Sequence, residues 1–125
     1  MLLNNIYILL KFDDRYLLVP QTDIELVETT SAFTRYELEV MVFNLNKDLL
    51  KQNSNQCQFI VLFKSTIVAL LCEEVENIKL DETEIEELSP VMKLSKSPIT
   101  HLVRYKDQIA CVCKGKTLVE YLLKL

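Results

Sequence analysis

Two short apolar runs constrain this chain more than anything else in it. They are Phe59-Ile60-Val61-Leu62-Phe63 and Thr66-Ile67-Val68-Ala69-Leu70-Leu71-Cys72, separated by Lys64-Ser65. Short, continuous and rich in β-branched side chains, they predict the two strands of an apolar hairpin. Lys64-Ser65 suits a tight connection, although it lacks the Asn-Gly or glycine signal usual in two-residue turns. The sequence then runs through an acidic stretch, EEVENIKLDETEIEEL, a second hairpin pattern, HLVRYKDQIACVCK, and an amphipathic end, GKTLVEYLLKL.

The remaining elements are also short. Ile6–Phe12 and Tyr16–Val19 read as a strand pair around Asp13-Asp14-Arg15, ending at Pro20, which cannot donate to a ladder. Glu25–Thr30 follows as a strand after an irregular step through Gln21-Thr22-Asp23. Tyr36–Leu45 alternates, with Leu38, Val40 and Val42 set against Glu37, Glu39 and Met41, which predicts a half-buried strand. Lys51–Gln56 is polar and loop-like, and marks a boundary between lobes. Val75–Leu80 predicts another strand. Asp81 and Thr83 offer N-caps for a helical turn at Glu84–Leu88. Leu102–Tyr105 and Ile109–Cys113 predict the last hairpin. Leu118, Tyr121, Leu122 and Leu125 then recur at helical spacing.

This count predicts a mostly β protein built as small barrels or a sandwich. The chain holds a single glycine, Gly115, so its turns must be built from Asp, Asn, Ser and Lys. At 125 residues, half of them hydrophobic, it forms one domain or two small lobes sharing a core.

The charge pattern narrows the function classes. Eighteen acidic against 14 basic residues give a net charge of −4. A general nucleic-acid binder carries a basic excess, because phosphate neutralisation drives its affinity. From Glu73 to Glu87 there are eight acidic residues and one lysine, whereas the chain after Lys93 is mainly basic. Such polarity solvates two faces or orients a partner on encounter. Met1-Leu2-Leu3 lacks a basic leader, Lys11 interrupts the first apolar stretch, and no run approaches the ~18 residues of a membrane span. These features predict a cytoplasmic protein without direct membrane insertion.

No catalytic or metal constellation emerges. Cys57, Cys72, Cys111 and Cys113 sit in apolar runs without a CxxC pair, so zinc is not expected and packing is. Cys111 and Cys113 would share one side of a strand. His101, the one histidine, has no G-x-S-x-G partner motif. Glu82–Glu87 lacks the ligand alternation and glycine of a calcium loop. Gly115-Lys116-Thr117 lacks the earlier glycine of a phosphate loop. Tyr7, Tyr16, Tyr36, Tyr105 and Tyr121 interleave with Lys11, Arg15, Arg35, Arg104 and Lys106, the mixture on which single strands of nucleic acid stack. The acidic balance weighs against that use. No cofactor is expected.

Together these segments resemble the CheW family, the coupling proteins of bacterial chemotaxis. Phe59-Ile60-Val61-Leu62 and Ile67–Val75 are similar to that family's apolar hairpin, V-I-V-L…V-V-G-I-V-V-D-x-V, with Glu74 at its acidic position. Asn77–Pro90 is similar to its strand and acidic turn. Ile99–Cys113 and Lys116–Leu123 resemble its closing hairpin and helix. Tyr7–Leu10 and Tyr16–Val19 resemble its first two strands. Thr30–Glu37 is too short to hold the family's N-x-P…G-x-x-N-L-R-G segment.

The resemblance implies two intertwined five-stranded SH3-like β-barrel lobes with short helices, spanning roughly residues 20–55 and 56–110, with termini crossing between them. It implies a non-enzymatic adaptor that couples chemoreceptor cytoplasmic tips to the regulatory domain of the histidine kinase CheA. Its partner-binding residues would include Ile24, Glu25 and Leu26. The alternative is a small barrel that binds single-stranded nucleic acid, or a protein outside chemotaxis.

Overall fold

The computed structural model describes residues 6–12, 15–31, 40–44, 58–80, 85–87 and 98–124 (44 and 85–87 by backbone alone). Ten strands and one α-helix are present among them: β1 (Ile6–Phe12), β2 (Arg15–Pro20), β3 (Ile24–Thr29), β4 (Met41–Asn44), β5 (Phe59–Phe63), β6 (Val68–Cys72), β7 (Glu74–Lys79), β8 (Ile85–Glu87), β9 (Ile99–Tyr105), β10 (Gln108–Cys113) and α1 (Gly115–Leu123). A 3-10 turn at Gln21–Asp23 links β2 to β3. The lobe boundary expected at 51–56 lies outside the described residues, as do the calls on 32–39.

The strands form a six-stranded sheet, β7-β1-β2-β10-β9-β8, and a four-stranded sheet, β3-β5-β6-β4. Both are mixed: β10 runs parallel to β2, and β4 parallel to β6. The chain changes sheet at the 3-10 turn and again at Glu73, the single residue between β6 and β7. There the Glu73 amide donates to the Lys11 carbonyl at 2.9 Å, fixing the corner against β1.

The continuous apolar runs have a direct physical reason. Their strands are covered on both faces, so alternation has no polar side to show. Phe59, Val61 and Phe63 of β5, with Val68, Leu70 and Cys72 of β6, join a core shared between the sheets. Ile8, Leu10, Phe12, Leu17 and Val19 meet them from β1 and β2, and Leu118, Val119 and Leu122 from α1. The opposite faces fill two separate interiors. Leu9, Leu18, Val103, Ala110 and Val112 fill the six-stranded lobe. Ile60, Leu62 and Ala69 fill the four-stranded lobe.

Three turn residues adopt left-handed backbone without being glycine: Ser65 (φ 62°), Lys106 (φ 46°) and Asp107 (φ 63°). This answers the shortage of glycine as the sequence predicts. Thr66 holds the first of these turns. Its hydroxyl donates to the Phe63 carbonyl at 3.0 Å and accepts from the Val68 amide at 3.1 Å.

Three readings need correction. Residues 85–87 form strand β8 against β9, with Ile85 opposite Val103, and not a helical turn. The open edge of β9 overrides the weak local preference for a helix start. In β4, Val42 is 46% exposed although the alternation sets it inward; its neighbour Met41 is 45% exposed, and β4 is the last strand of its sheet among the described residues. On α1, Val119 is buried and Tyr121 exposed, so the buried stripe runs through Leu118, Val119 and Leu122.

Candidate partner-binding groove

β3 ends one sheet and β7 ends the other, and a cavity of about 340 Å³ lies between them. Its floor is apolar. Ile8, Ile24 and Val75 reach it from the shared core, and Leu26 from the interior of the four-stranded lobe. The exposed rim carries Glu25, Val27, Glu76 and Asn77. Edge strands expose backbone groups that an incoming segment can pair with.

Glu25 occupies a special position. Ile24 pairs with Phe63 and Leu26 with Leu62, so Glu25 is the extra residue of a β-bulge. A bulge bends its strand and re-aims the local side chains. The sequence-predicted residues Ile24, Glu25 and Leu26 therefore all fall on the groove wall. Sequence reasoning missed the opposite wall, Val75, Glu76 and Asn77. Nothing local signals it, because the pairing of β7 with β1 (Asn77 opposite Ile8) brings it there.

Glu76 connects the groove to a polar cluster at one end of the six-stranded lobe. The Tyr105 hydroxyl donates to Glu76 Oε2 at 3.2 Å. Tyr105 and Tyr16 meet edge to face with ring centroids 5.7 Å apart. Lys106 Nζ stands 5.2 Å from the Tyr105 ring centre. Beside them Lys11 Nζ binds Glu74 Oε2 at 3.1 Å, and that hydrogen bond raises the lysine pKa above its ordinary value. The rings thus pack on each other, and glutamates sit among the lysines. That arrangement does not make a continuous cationic track for phosphates. Tyr36 and Arg35 lie outside the described residues.

The other candidate groups resolve into structural roles. His101 Nδ1 lies 3.0 Å from the Thr100 hydroxyl, which donates to the Val112 carbonyl at 3.2 Å. Cys111 and Cys113 face one small cavity beside α1, the same side of β10. Burial raises both thiols, Cys113 to about 12, so neither is an activated nucleophile. No cluster of three metal-ligating side chains occurs among the described residues. No described helix is long and apolar enough to cross a membrane.

Gly115 shows why the one glycine stands where it does. Its amide donates to Asp23 Oδ2 at 2.8 Å, so a carboxylate from the 3-10 turn caps α1 in place of the N-cap residue Lys114. A Cβ on Gly115 would lie 2.6 Å from the Asp23 Cβ. The cleft of about 480 Å³ beside it therefore offers no anion seat, since the helix start already holds a carboxylate.

Neither a family model nor a curated protein sequence matches the chain. Among solved structures, the scaffolding protein TtCheW from Thermoanaerobacter tengcongensis superimposes with a TM-score of 0.64, over 90% of each chain and at 14% identity. The strand order, the shared core and this superposition lead to one conclusion: the chain has the two-lobed CheW-like β fold.

Proposed function

We propose that this protein is a non-catalytic adaptor of bacterial chemotaxis, a single CheW-like domain working in the cytoplasm. The observation that carries the reading is the groove between the two edge strands of a CheW-like fold, with the bulged Glu25 at its lip. An apolar floor under a carboxylate rim suits docking of a protein segment, and no activated nucleophile or acid–base pair lies in it. The partners in this reading are the CheA regulatory domain and chemoreceptor cytoplasmic tips, with Ile24, Glu25 and Leu26 at the contact.

Calorimetric titration of the protein with the CheA regulatory domain tests it. Saturable binding is expected at micromolar affinity, about 8 kcal/mol. Glu25→Lys and Val27→Glu alter exposed side chains, so both should leave the fold intact and weaken binding at least tenfold. No heat of binding up to tens of micromolar, with receptor tips equally silent, would sink the adaptor role.

A further inference from the structure

The bulge in β3 decides which of two adjacent side chains enters the core. From Leu26 to Thr29, β3 keeps one register with β5: Leu26 lies opposite Leu62, Val27 opposite Val61, Glu28 opposite Ile60 and Thr29 opposite Phe59. Continued unbroken, that register would set Glu25 opposite Phe63 and Ile24 opposite Lys64. Phe63 is 1% exposed, inside the shared core. Residues opposite each other share a face of the sheet, so Glu25 would be carried into apolar surroundings without a partner for its charge. The bulge shifts the pairing by one residue. Ile24 then meets Phe63 and packs on the shared core, and Glu25 stays exposed at the lip of the groove.

Asp23, immediately before this shifted pair, is held through both its backbone and its side chain. Its carbonyl accepts the Lys64 amide at 2.9 Å, which carries the shifted register one step beyond Ile24 and Phe63. Its carboxylate accepts the Gly115 amide at 2.8 Å, from the start of α1, 92 residues away in sequence. The Ile24 amide in turn closes the 3-10 turn on the Gln21 carbonyl. The chain is therefore fixed just before the bulge by Asp23 and just after it by the pairing of Leu26 with Leu62. Glu25 is the one residue between Ile24 and Leu26, so its aim depends on both anchors.

We propose that Asp23 is a positioning residue of the groove: by tying the 3-10 turn to α1 and to the β5–β6 turn, it fixes the bulge that presents Glu25. The role in binding rests on the reading of the groove as the partner site. Neither Asp23 nor any described residue of α1 lines that groove, so both act on it only through the backbone of β3. A binding side chain is only as well placed as the contacts that support it. The carboxylate is suited to this task because Asp and Asn side chains accept from helix-start amides, which alanine cannot do.

Amide NMR and hydrogen exchange on the full chain test the placement of Glu25 without any partner. Gly115→Ala, which presses a Cβ against Asp23, should displace the Glu25 and Leu26 resonances although it lies far from them in sequence. Asp23→Ala should speed exchange of the Lys64 amide at least tenfold, and Asp23→Asn should restore it. Val103→Ala, in the six-stranded interior, lowers stability away from this junction and should change neither readout. If one of the two junction variants does not fold, the other carries the test. Unmoved Glu25 and Leu26 resonances in folded Gly115→Ala, or unchanged Lys64 exchange in folded Asp23→Ala, overturn the proposal. Calorimetry with the CheA regulatory domain then reads the effect on binding. Asp23→Ala should weaken it at least threefold and Asp23→Asn should restore it; an unchanged affinity overturns the positioning role. A wild-type chain that binds no partner overturns the adaptor reading instead, and the resonances still decide whether Asp23 places Glu25.

Discussion

The two lobes share one core yet are finished differently. In the six-stranded lobe, Leu9, Leu18, Leu80, Val103, Ala110 and Val112 are buried together, and Tyr7, Tyr16, Ile78 and Tyr105 pack around them. Among the described residues, the four-stranded lobe has three buried interior residues, Ile60, Leu62 and Ala69, flanked by half-buried Leu26, Val40 and Leu71. Its strands and turns also expose Val27, Met41, Val42 and Ile67. The larger interior contributes more stability, while both sheets keep exposed apolar side chains, Ile6 and Ile109 on the six-stranded one included.

The largest expected effect tests what the lobes have in common. Leu70→Ala opens a cavity in the shared core and should cost about 2–5 kcal/mol in urea denaturation, with both lobes lost in one transition. Two transitions would mean that the lobes are independent. Truncation inside each lobe tests the contrast directly. Leu18→Ala should fall in the upper part of that range of about 2–5 kcal/mol, and Leu62→Ala in the lower, because the four-stranded interior can relax toward solvent. Equal losses would erase the distinction.

Smaller effects come from the junction and from pH. Gly115→Ala forces its new Cβ against Asp23 and should cost about 1–3 kcal/mol. Asp23→Ala, which removes the helix cap, should cost about 1 kcal/mol by the same measurement. The Cys113 thiol, ordinarily ionising near 9.0, is held neutral in the folded chain to about 12. The unfolded chain therefore loses this proton first. Stability tied to the thiol is intact below pH 9.0 and declines as pH rises toward 12. Cys113→Ala should flatten that alkaline decline in pH-dependent denaturation, although it lowers stability at neutral pH.

Much of this arrangement could be read from the chain, for reasons that the strands make clear. β5, β6, β9 and β10 are legible because hairpins are local and their apolar runs are bounded by turn residues. β8 reads as a helical turn because Glu86 and Glu87 lean locally toward helix, and its partner β9 overrides that lean. The six-stranded sheet was not legible. It depends on Ala110 lying parallel beside Tyr16, a pairing no local pattern announces. The groove was half legible for the same reason. Ile24, Glu25 and Leu26 follow one another in sequence, but Val75, Glu76 and Asn77 join them only through tertiary pairing. Gly115 was visible as the lone glycine, while its neighbour Asp23, 92 residues away, was not.

The parallel seam between β2 and β10 joins segments more than 90 residues apart, from which an order of assembly is expected. Pairings of the four-stranded sheet close within the stretch from Ile24 to Cys72, whereas the six-stranded sheet waits for the last hairpin to reach back to β2. Loop-closure entropy delays such long-range contacts, so the seam is expected to close after the local pairings. In refolding followed by pulsed hydrogen exchange, amides of β5 and β6 should gain protection before those bonded across the β2–β10 seam; simultaneous protection would contradict this order. A chain paused midway through synthesis would then hold the β1–β2 pair with the outer neighbours β7 and β10 still missing. The protein is most exposed to misassociation in that interval.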